Sequence, residues 1–265
     1  MNYNHIILTR FNLQYEETST IHIDAQWLEE RFRLFDCYCL PSITRQTSQS
    51  FTWVILACDQ TPSPYRERLL QYAQQYNNIA IHFCAYQADI NQLYHTIGQQ
   101  YCAGYTHLLS TRVDSDDMLA YDFVERLQAH ITLQTKQQTI LSFNHGIQWF
   151  EATDIALAAT YKKNHFLSFY EPYDRLHTCI GIDHTKVPDT FLQLMPERGM
   201  WCEIVHSSNM CNSYVPKYCY RLSIPHRQYP IALTNANFIK QSGLLVREHI
   251  AFRLRQLRRL IKRIF

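Results

Sequence analysis

The sequence predicts an α/β fold: a mixed, mainly parallel sheet flanked by helices, followed by a basic amphipathic C-terminal helix. Up to about residue 135, short apolar runs alternate with stretches of helical periodicity, which indicates right-handed crossovers between parallel strands. Beyond residue 138 the apolar runs follow one another at short turns, which indicates an antiparallel addition. A chain of 265 residues, 46% of them hydrophobic, can bury the core of such a sheet. We expect residues 1–135 and 136–246 to form two halves of one domain, and residues 247–265 to form a separate helix.

The first half contains four strands and four helices in alternation. The strands are expected at residues 5–9, 52–58, 79–83 and near 108–109, and the helices at 27–38, 61–73, 89–101 and 122–135. Pro41 is expected to end the first helix, because proline removes a helical hydrogen bond. Thr61 and Pro62 fit the N-cap and first position of the second helix. Asp122 and Glu125 fit a capping box at the start of the fourth.

The second half is expected to begin with three strands at residues 139–143, 146–150 and 155–161, joined by short turns. A last strand is expected at residues 201–206. The segments 164–170 and 175–186 have no periodicity that favours one type of structure. This half therefore completes the sheet with an antiparallel part.

Three carboxylates follow the fourth strand within four residues, Asp114, Asp116 and Asp117. Oxygen ligands clustered at the end of a strand are what Mg²⁺ or Mn²⁺ needs when it also holds a phosphate group. A solvated turn remains the alternative for this cluster. A calcium loop is excluded, because Met118 and Leu119 stand where that loop requires an oxygen ligand and a glycine.

Other polar side chains follow the first, second and fourth strands, at one edge of the predicted sheet. Arg10 and Asn12 follow the first strand, Asp59 the second, and Arg112 precedes the carboxylates. Ligands of open α/β sheets bind at this edge. The chain has only six Gly and no glycine-rich phosphate loop, so a phosphate would have to be held by a metal ion and basic side chains.

The charge of the chain is concentrated in its tail. Six Arg and one Lys against one Glu give residues 247–265 a net charge of +6, so the preceding residues carry −4 of the total of +2. One apolar stripe runs along this tail, formed by Ile250, Leu254, Leu257, Ile261 and Ile264. A basic amphipathic helix of this kind suits an anionic membrane surface, and docking on the body or on a partner chain is the alternative.

The remaining composition indicates a cytoplasmic protein associated with the inner face of the membrane. The nine Cys include no CxxC pair, as in proteins with reduced thiols, and no apolar run is long enough for a signal peptide or a membrane span. RNP-type aromatic motifs, zinc-finger spacings and a basic body are missing, so no nucleic-acid partner is expected.

Four segments together resemble a known family. Thr9-Arg-Phe-Asn12, Asp59-Gln-Thr-Pro62, the block from Thr111 to Leu119 with its Asp-x-Asp-Asp, and Val205-His-Ser-Ser-Asn209 are similar to the rhamnosyltransferase family of bacterial surface-polysaccharide proteins, over residues 3–225. More broadly, the chain resembles the GT-A glycosyltransferases. The resemblance implies transfer of a sugar, rhamnose by the family name, from a nucleoside-diphosphate donor to a hydroxyl of a glycan or lipid-linked acceptor.

The resemblance also implies roles for individual residues. The metal, Mn²⁺ or Mg²⁺, would be held by Asp114, Asp116 and His206. The nucleotide-sugar would be bound in the first half, by Arg10, Asn12, Asp59, Arg112, Asp114 and Asp117. An inverting enzyme also needs a carboxylate base for the acceptor hydroxyl in the second half. Asp183 is the expected base, with Glu171, Glu197 and Glu203 as the other candidates.

Alternatives remain for several of these assignments. His206 could be a buried structural histidine, or could bind structural zinc with Cys202, Cys211 and Cys219. Clustered carboxylates also suit a metal-dependent phosphoester hydrolase. A non-catalytic α/β scaffold, whose basic helix binds a membrane or a partner, is a third class.

Overall fold

A mixed β-sheet forms the centre of the molecule in the computed structural model, which describes residues 2–13, 21–85, 89–131, 138–207, 214–215, 219–220, 228–233 and 238–264. The strands are β1 Tyr3–Arg10, β2 Thr52–Cys58, β3 Ile79–Cys84, β4 His107–Arg112, β5 Met118–Leu119, β6 Thr139–Phe150, β7 Ile155–Thr160, β8 Ser168–Pro172, β9 Leu192–Val205 and β10 Cys219–Tyr220. The helices are α1 Ala25–Leu34, α2 Leu40–Thr44, α3 Ser63–Gln75, α4 Ile90–Cys102, α5 Phe123–Ala129 and α6 Phe238–Ile264.

The order of the strands confirms the predicted mixed sheet. The main path runs β10-β7-β6-β8-β4-β1-β2-β3, and β9 pairs with β6 and β5 beside it. Strands β3, β2, β1 and β4 are parallel, and their order follows from helical crossovers between them. Strand β8 pairs antiparallel with β4 and joins this block to the antiparallel part. The two strands predicted at 139–143 and 146–150 are one continuous strand, β6, whose pairing with β9 shifts register between them.

Alternating side chains of the central strands pack on opposite faces of the sheet. In β1, Ile7 belongs to one apolar cluster, with Phe32 and Phe35 of the α1 region, while Ile6 and Leu8 belong to the cluster on the other face. This is the twofold alternation of a strand buried on both sides. The two clusters hold the parallel strands in register, so that their carboxyl ends meet at one edge.

The first helix continues past the predicted stop. A π-helical turn, Phe35–Cys39, follows α1, and Pro41 lies in the first turn of α2. Proline lacks only a hydrogen bond that the first turn of a helix does not make, so it is tolerated there. The expectation that Pro41 ends the helix was wrong for this reason.

Two predicted caps also differ. The N-cap of α3 is Pro62, and the Thr61 hydroxyl donates to the Cys58 carbonyl (2.6 Å) instead of capping the helix. Asp122 is the N-cap of α5, but its side chain makes no capping hydrogen bond. Helix α5 ends at Ala129, and positions 132–135 of the predicted helix lie outside the described residues.

Helix α6 begins at Phe238, nine residues before the predicted boundary, and its first turns contact the sheet. The Gln241 amide donates to the Ala156 carbonyl of β7 (3.3 Å), and Leu244 is buried in the core. No helix of the described ranges is both long and apolar enough to cross a bilayer.

Candidate active site

The carboxyl ends of β1, β2 and β4 bring the predicted polar side chains to one edge of the sheet. Arg10 is the last residue of β1, Arg112 is the last residue of β4, and exposed Asp59 follows β2 directly. A tight turn after β4 carries the carboxylates, since the Asp117 backbone N–H donates to the Asp114 carbonyl (3.2 Å). This edge is where a parallel α/β sheet binds its ligands.

Asp114 is held by the arginine two residues before it. The Arg112 guanidinium donates twice to the carboxylate, from Nε at 3.0 Å and from a terminal nitrogen at 2.9 Å. Burial raises the pKa of Asp114, but the charges of Arg112, His165 and Arg10 outweigh burial and lower it below the usual value. The carboxylate is therefore ionised and anchored at the site.

Asp117 is fully buried and contacts two groups from the second half of the chain. Its Oδ1 accepts from the Ile204 backbone N–H of β9 (2.8 Å), and its Oδ2 lies 2.9 Å from Nε2 of His165. Burial and the neighbouring charges of Asp116 and Asp114 raise the pKa of Asp117 well above its ordinary value. A positive charge placed beside this carboxyl would relieve that repulsion.

Asp114, Asp117 and His165 form a group that could hold a metal ion, because one ligand atom from each lies within 4.8 Å of the others. Burial lowers the pKa of His165, which favours the neutral imidazole that binds metals. Two carboxylates and an imidazole suit Mn²⁺ better than Mg²⁺, which prefers oxygen ligands alone. The donor set therefore fits the ion that the resemblance implies.

Asp116 belongs to an adjoining network. Its Oδ2 lies 2.9 Å from an Arg31 guanidinium nitrogen and 3.0 Å from Nε2 of His206. The same nitrogen of Arg31 donates to the Ser115 hydroxyl (3.1 Å). Burial raises the pKa of Asp116, but the hydrogen bond from His206 and the charge of Arg31 lower it below its usual value. In this structure, Arg31 supplies the positive charge that faces Asp116.

The metal set predicted from the sequence is thus divided between two clusters. Asp116 and His206 meet as expected, but Asp114 groups with Asp117 and His165 instead. His206 is a buried histidine, as one alternative held, and its ring nitrogen faces a carboxylate of the site. The zinc alternative also requires Cys211, which lies outside the described residues, and the side chain of Cys219, which is likewise not described.

Asn12 is engaged entirely with the protein. Its amide nitrogen donates to the His22 carbonyl (3.0 Å) and the Thr61 hydroxyl (2.9 Å), and its oxygen accepts from the Cys58 backbone N–H (3.2 Å). The residue is fully buried. We therefore assign Asn12 to shaping the end of β2, beside Asp59, and not to a direct contact with the nucleotide.

The four candidates for the base lie in different surroundings. Asp183 precedes a short 3₁₀ helix, His184–Lys186, and its half-exposed carboxylate accepts from the backbone N–H and hydroxyl of Thr185 (2.9 and 2.8 Å), which lower its pKa. Glu171 accepts from backbone N–H groups of residues 177 and 178, and Glu197 pairs with a histidine of the α5 end. Glu203 is buried in β9, and burial raises its pKa to about 7.

Two clefts are lined by neighbours of the site. One, of about 750 Å³, is lined by Trp27, Arg31 and Ser207 among others, and so reaches the Asp116 network. The other, of about 700 Å³, is lined by Lys163 and His184 among others. The ring centroid of His184 lies 6.0 Å from that of His165, so this cleft lies near the Asp114 group.

Two residues of the site were not predicted from the sequence. His165 lies in a segment without clear periodicity, 48 residues from Asp117 in sequence. Arg31 lies in the predicted first helix, but nothing in its position there indicated a carboxylate partner 85 residues away. A histidine in the short connection between β7 and β8, and an arginine on an otherwise apolar helix face, are weak signals that only the tertiary structure resolves.

Comparisons with known proteins identify relatives. The chain matches the family model described as "Putative rhamnosyl transferase" over residues 5–218. Solved structures to which the chain is similar include S. aureus TarS 1-349, with 11% identity, a TM-score of 0.40, and coverage of 77% of this chain and 60% of that one. The same protein in complex with UDP has 14% identity, a TM-score of 0.32, and coverage of 57% and 35%. The chain thus spans 35% to 60% of the length of these structures. No curated protein gives a significant match.

Proposed function

The chain belongs to this family; from that premise we propose that it is a glycosyltransferase, which transfers a sugar from a nucleoside-diphosphate donor with the help of a divalent metal ion. Residues 1–135 bind the donor, and residues 136–246 bind the acceptor. The acceptor is a hydroxyl of a glycan or of a lipid-linked precursor. The sugar is rhamnose in the proposal because the family name supports it.

The grouping of Asp114, Asp117 and His165 is the observation that carries the proposal. These three residues would hold the ion, Mn²⁺ in preference to Mg²⁺. When bound, the ion neutralises the negative charge that develops on the departing diphosphate. The raised pKa of Asp117 supports this, because two neighbouring carboxylates oppose its ionisation and a cation would favour it. Asp116 and His206 are the alternative pair of ligands, if Arg31 leaves Asp116 when the donor binds.

Basic and acidic groups at the strand ends give the donor its orientation. Arg112 contacts Asp114, and the charge of Arg10 also lowers the pKa of that carboxyl. Guanidinium groups suit bidentate contacts with phosphate oxygens. Asp59 is exposed at the end of β2 and would accept hydrogen bonds from the nucleoside. The diphosphate would therefore lie along the ends of β1 and β4, with the nucleoside toward β2.

Asp183 is the proposed base of an inverting reaction. It takes the proton of the acceptor hydroxyl, whose oxygen attacks the anomeric carbon while the bond from that carbon to the diphosphate oxygen breaks. Its neighbour His184 lines the second cleft, and the ring centroid of His184 lies 6.0 Å from that of His165. The Asp183 carboxylate is half-exposed, so an acceptor can reach it. The two hydrogen bonds from Thr185 fix its orientation and lower its basicity.

A thermal-shift panel tests the donor site. The full chain is heated with UDP, GDP, dTDP or CDP, each with and without Mn²⁺. We expect one nucleotide to raise the melting temperature by roughly 5 °C at a hundredfold excess over its dissociation constant, and only with metal. Asp114→Asn should abolish the shift, whereas Asp174→Asn, in which an exposed carboxylate is changed in the same way, should keep it.

The outcomes separate the proposal from its rivals. A scaffold would show no shift with any nucleotide at millimolar concentration. A shift that Asp114→Asn leaves intact would place the nucleotide elsewhere. A phosphoester hydrolase would bind nucleotide with metal but release free sugar phosphate or phosphate from a sugar nucleotide, whereas the proposed enzyme adds the mass of the sugar to an acceptor, as mass spectrometry would show.

A further inference from the structure

Helix α6 has one face docked on the body of the protein. Over its first half, Gln241 and Leu244 are buried, and Leu245 and Phe252 pack against the main apolar cluster. These positions recur at three, four and seven residues, so they form one side of a helix. The contacts attach α6 firmly to β7 and fix the direction in which the rest of the helix runs.

A second apolar stripe of α6 is left uncovered. Val246, Ile250, Leu254, Leu257 and Ile261 are exposed by 60, 55, 51, 54 and 47%. The predicted stripe therefore does not dock on the described part of the chain, which was one of the alternatives. Helix α6 has 27 residues and is about 40 Å long, so the stripe covers more than half of its length.

Unpaired arginines flank this stripe. Arg253 lies on one side of the stripe and Arg258 on the other; both are exposed, and neither is paired with a carboxylate of the described residues. By contrast, Arg247, at the docked end, pairs with Glu248 at 2.9 Å. Positive charge therefore accumulates beside the exposed apolar residues, where its attraction for an anion is not cancelled.

A second copy of the chain would cover the stripe poorly. Ile250, Leu254, Leu257 and Ile261 are spaced by four, three and four residues, which is the spacing of a two-stranded coiled coil. In a parallel pair, however, Arg253 of one copy would face Arg258 of the other, and like charges at these flanking positions oppose pairing. The apolar stripe and its basic borders fit a partner whose interior is apolar and whose surface carries negative charge.

We propose that α6 lies in the plane of an anionic lipid bilayer, with the stripe from Val246 to Ile261 in the acyl region and the arginines at the phosphate level. Apolar burial and attraction to anionic headgroups both contribute to such binding. The docked face holds the catalytic sheet against the membrane, where lipid-linked acceptors are held. The proposal is independent of the metal site, because it concerns a different surface.

Vesicle co-sedimentation of the full chain tests this directly. The vesicles contain phosphatidylcholine alone or with phosphatidylglycerol, at low and high salt. We expect binding only to the anionic vesicles, weaker at high salt. Arg253→Gln with Arg258→Gln should weaken binding by about 25-fold, since each arginine near an anionic surface contributes about fivefold. Leu254→Ser with Leu257→Ser should weaken it by roughly tenfold or more.

A matched control is Leu70→Ser, which changes a leucine of similar exposure on α3 and should leave binding unchanged. Circular dichroism of each variant confirms that α6 still forms. Equal binding to neutral and anionic vesicles, or full binding by the Leu254/Leu257 variant, would overturn the proposal. So would a wild-type dimer in sedimentation velocity that ignores vesicles and becomes monomeric in the Leu254/Leu257 variant, because the occupant would then be a second copy.

Discussion

Replacing Glu203 by Gln should make the protein more stable at neutral and alkaline pH. Glu203 lies in β9, and its carboxyl accepts one hydrogen bond, from the Gln148 amide (3.1 Å). Burial raises its pKa from 4.5 to about 7, with His165 opposing and Asp117 reinforcing the shift. Because the folded-state pKa lies above the unfolded one, the folded protein binds this proton more tightly.

The difference between the folded-state and unfolded-state pKa of Glu203 sets the sign and size of the change in stability. The stabilising contribution of the protonated carboxyl is fully present below pH 4.5 and is lost as the pH rises to about 7. Because the Glu203 carboxyl is buried, water screens its charge only weakly. The free energy of unfolding of Glu203→Gln should therefore exceed that of the wild type by about 1 kcal/mol at pH 5, about 2 at pH 6 and about 3 at pH 8.

Urea unfolding at these three pH values, followed by tryptophan fluorescence, measures the difference. The glutamine can still accept the hydrogen bond from Gln148, so the substitution changes charge with little change in packing. Glu125→Gln, at an exposed position of α5, controls for the loss of one acid. If the Glu203→Gln and wild-type curves run parallel from pH 5 to pH 8, the carboxyl is ionised in the folded protein and the account of this cluster fails.

Asp183→Asn should lower the rate of sugar transfer at least about a hundredfold while keeping the nucleotide-dependent thermal shift, and Glu203→Gln should keep most of the transfer rate. The reverse pattern in the transfer assay would identify Glu203 as the base. Gly146→Ala should destabilise the protein by about 3 kcal/mol, because its Cβ would lie 2.1 Å from the buried Trp201 ring. Gly243→Ala, with open space around it in α6, should stabilise by up to about 1 kcal/mol; urea unfolding of both variants checks this contrast.

Much of the fold could be predicted because its signals are local. Strands β1 to β4 are short apolar runs bounded by polar residues, and β2 was predicted with its observed bounds. The failures occur where tertiary contacts override local preference. Pro41 starts a helix after a π-helical turn, and β6 continues through Gly146, where the Trp201 ring leaves no room for a side chain.

The site could be predicted only in part. Its carboxylates follow a strand in the sequence, so Asp114, Asp116 and Asp117 were identifiable from composition and position. Their partners could not be found in this way, because His165 and Arg31 come from distant segments and meet the carboxylates only through the pairing of β4 with β8 and the packing of α1. Which cation faces which carboxylate is a property of the tertiary structure.

The location of the metal ion is the most direct test of the account. Crystals grown with Mn²⁺ and the nucleoside diphosphate that gives a thermal shift are measured at the manganese absorption edge. We expect one anomalous peak within coordination distance of Asp114, Asp117 and His165, beside the diphosphate. A peak between Asp116 and His206, or no peak at the carboxyl ends of β1 and β4, would contradict the proposed site.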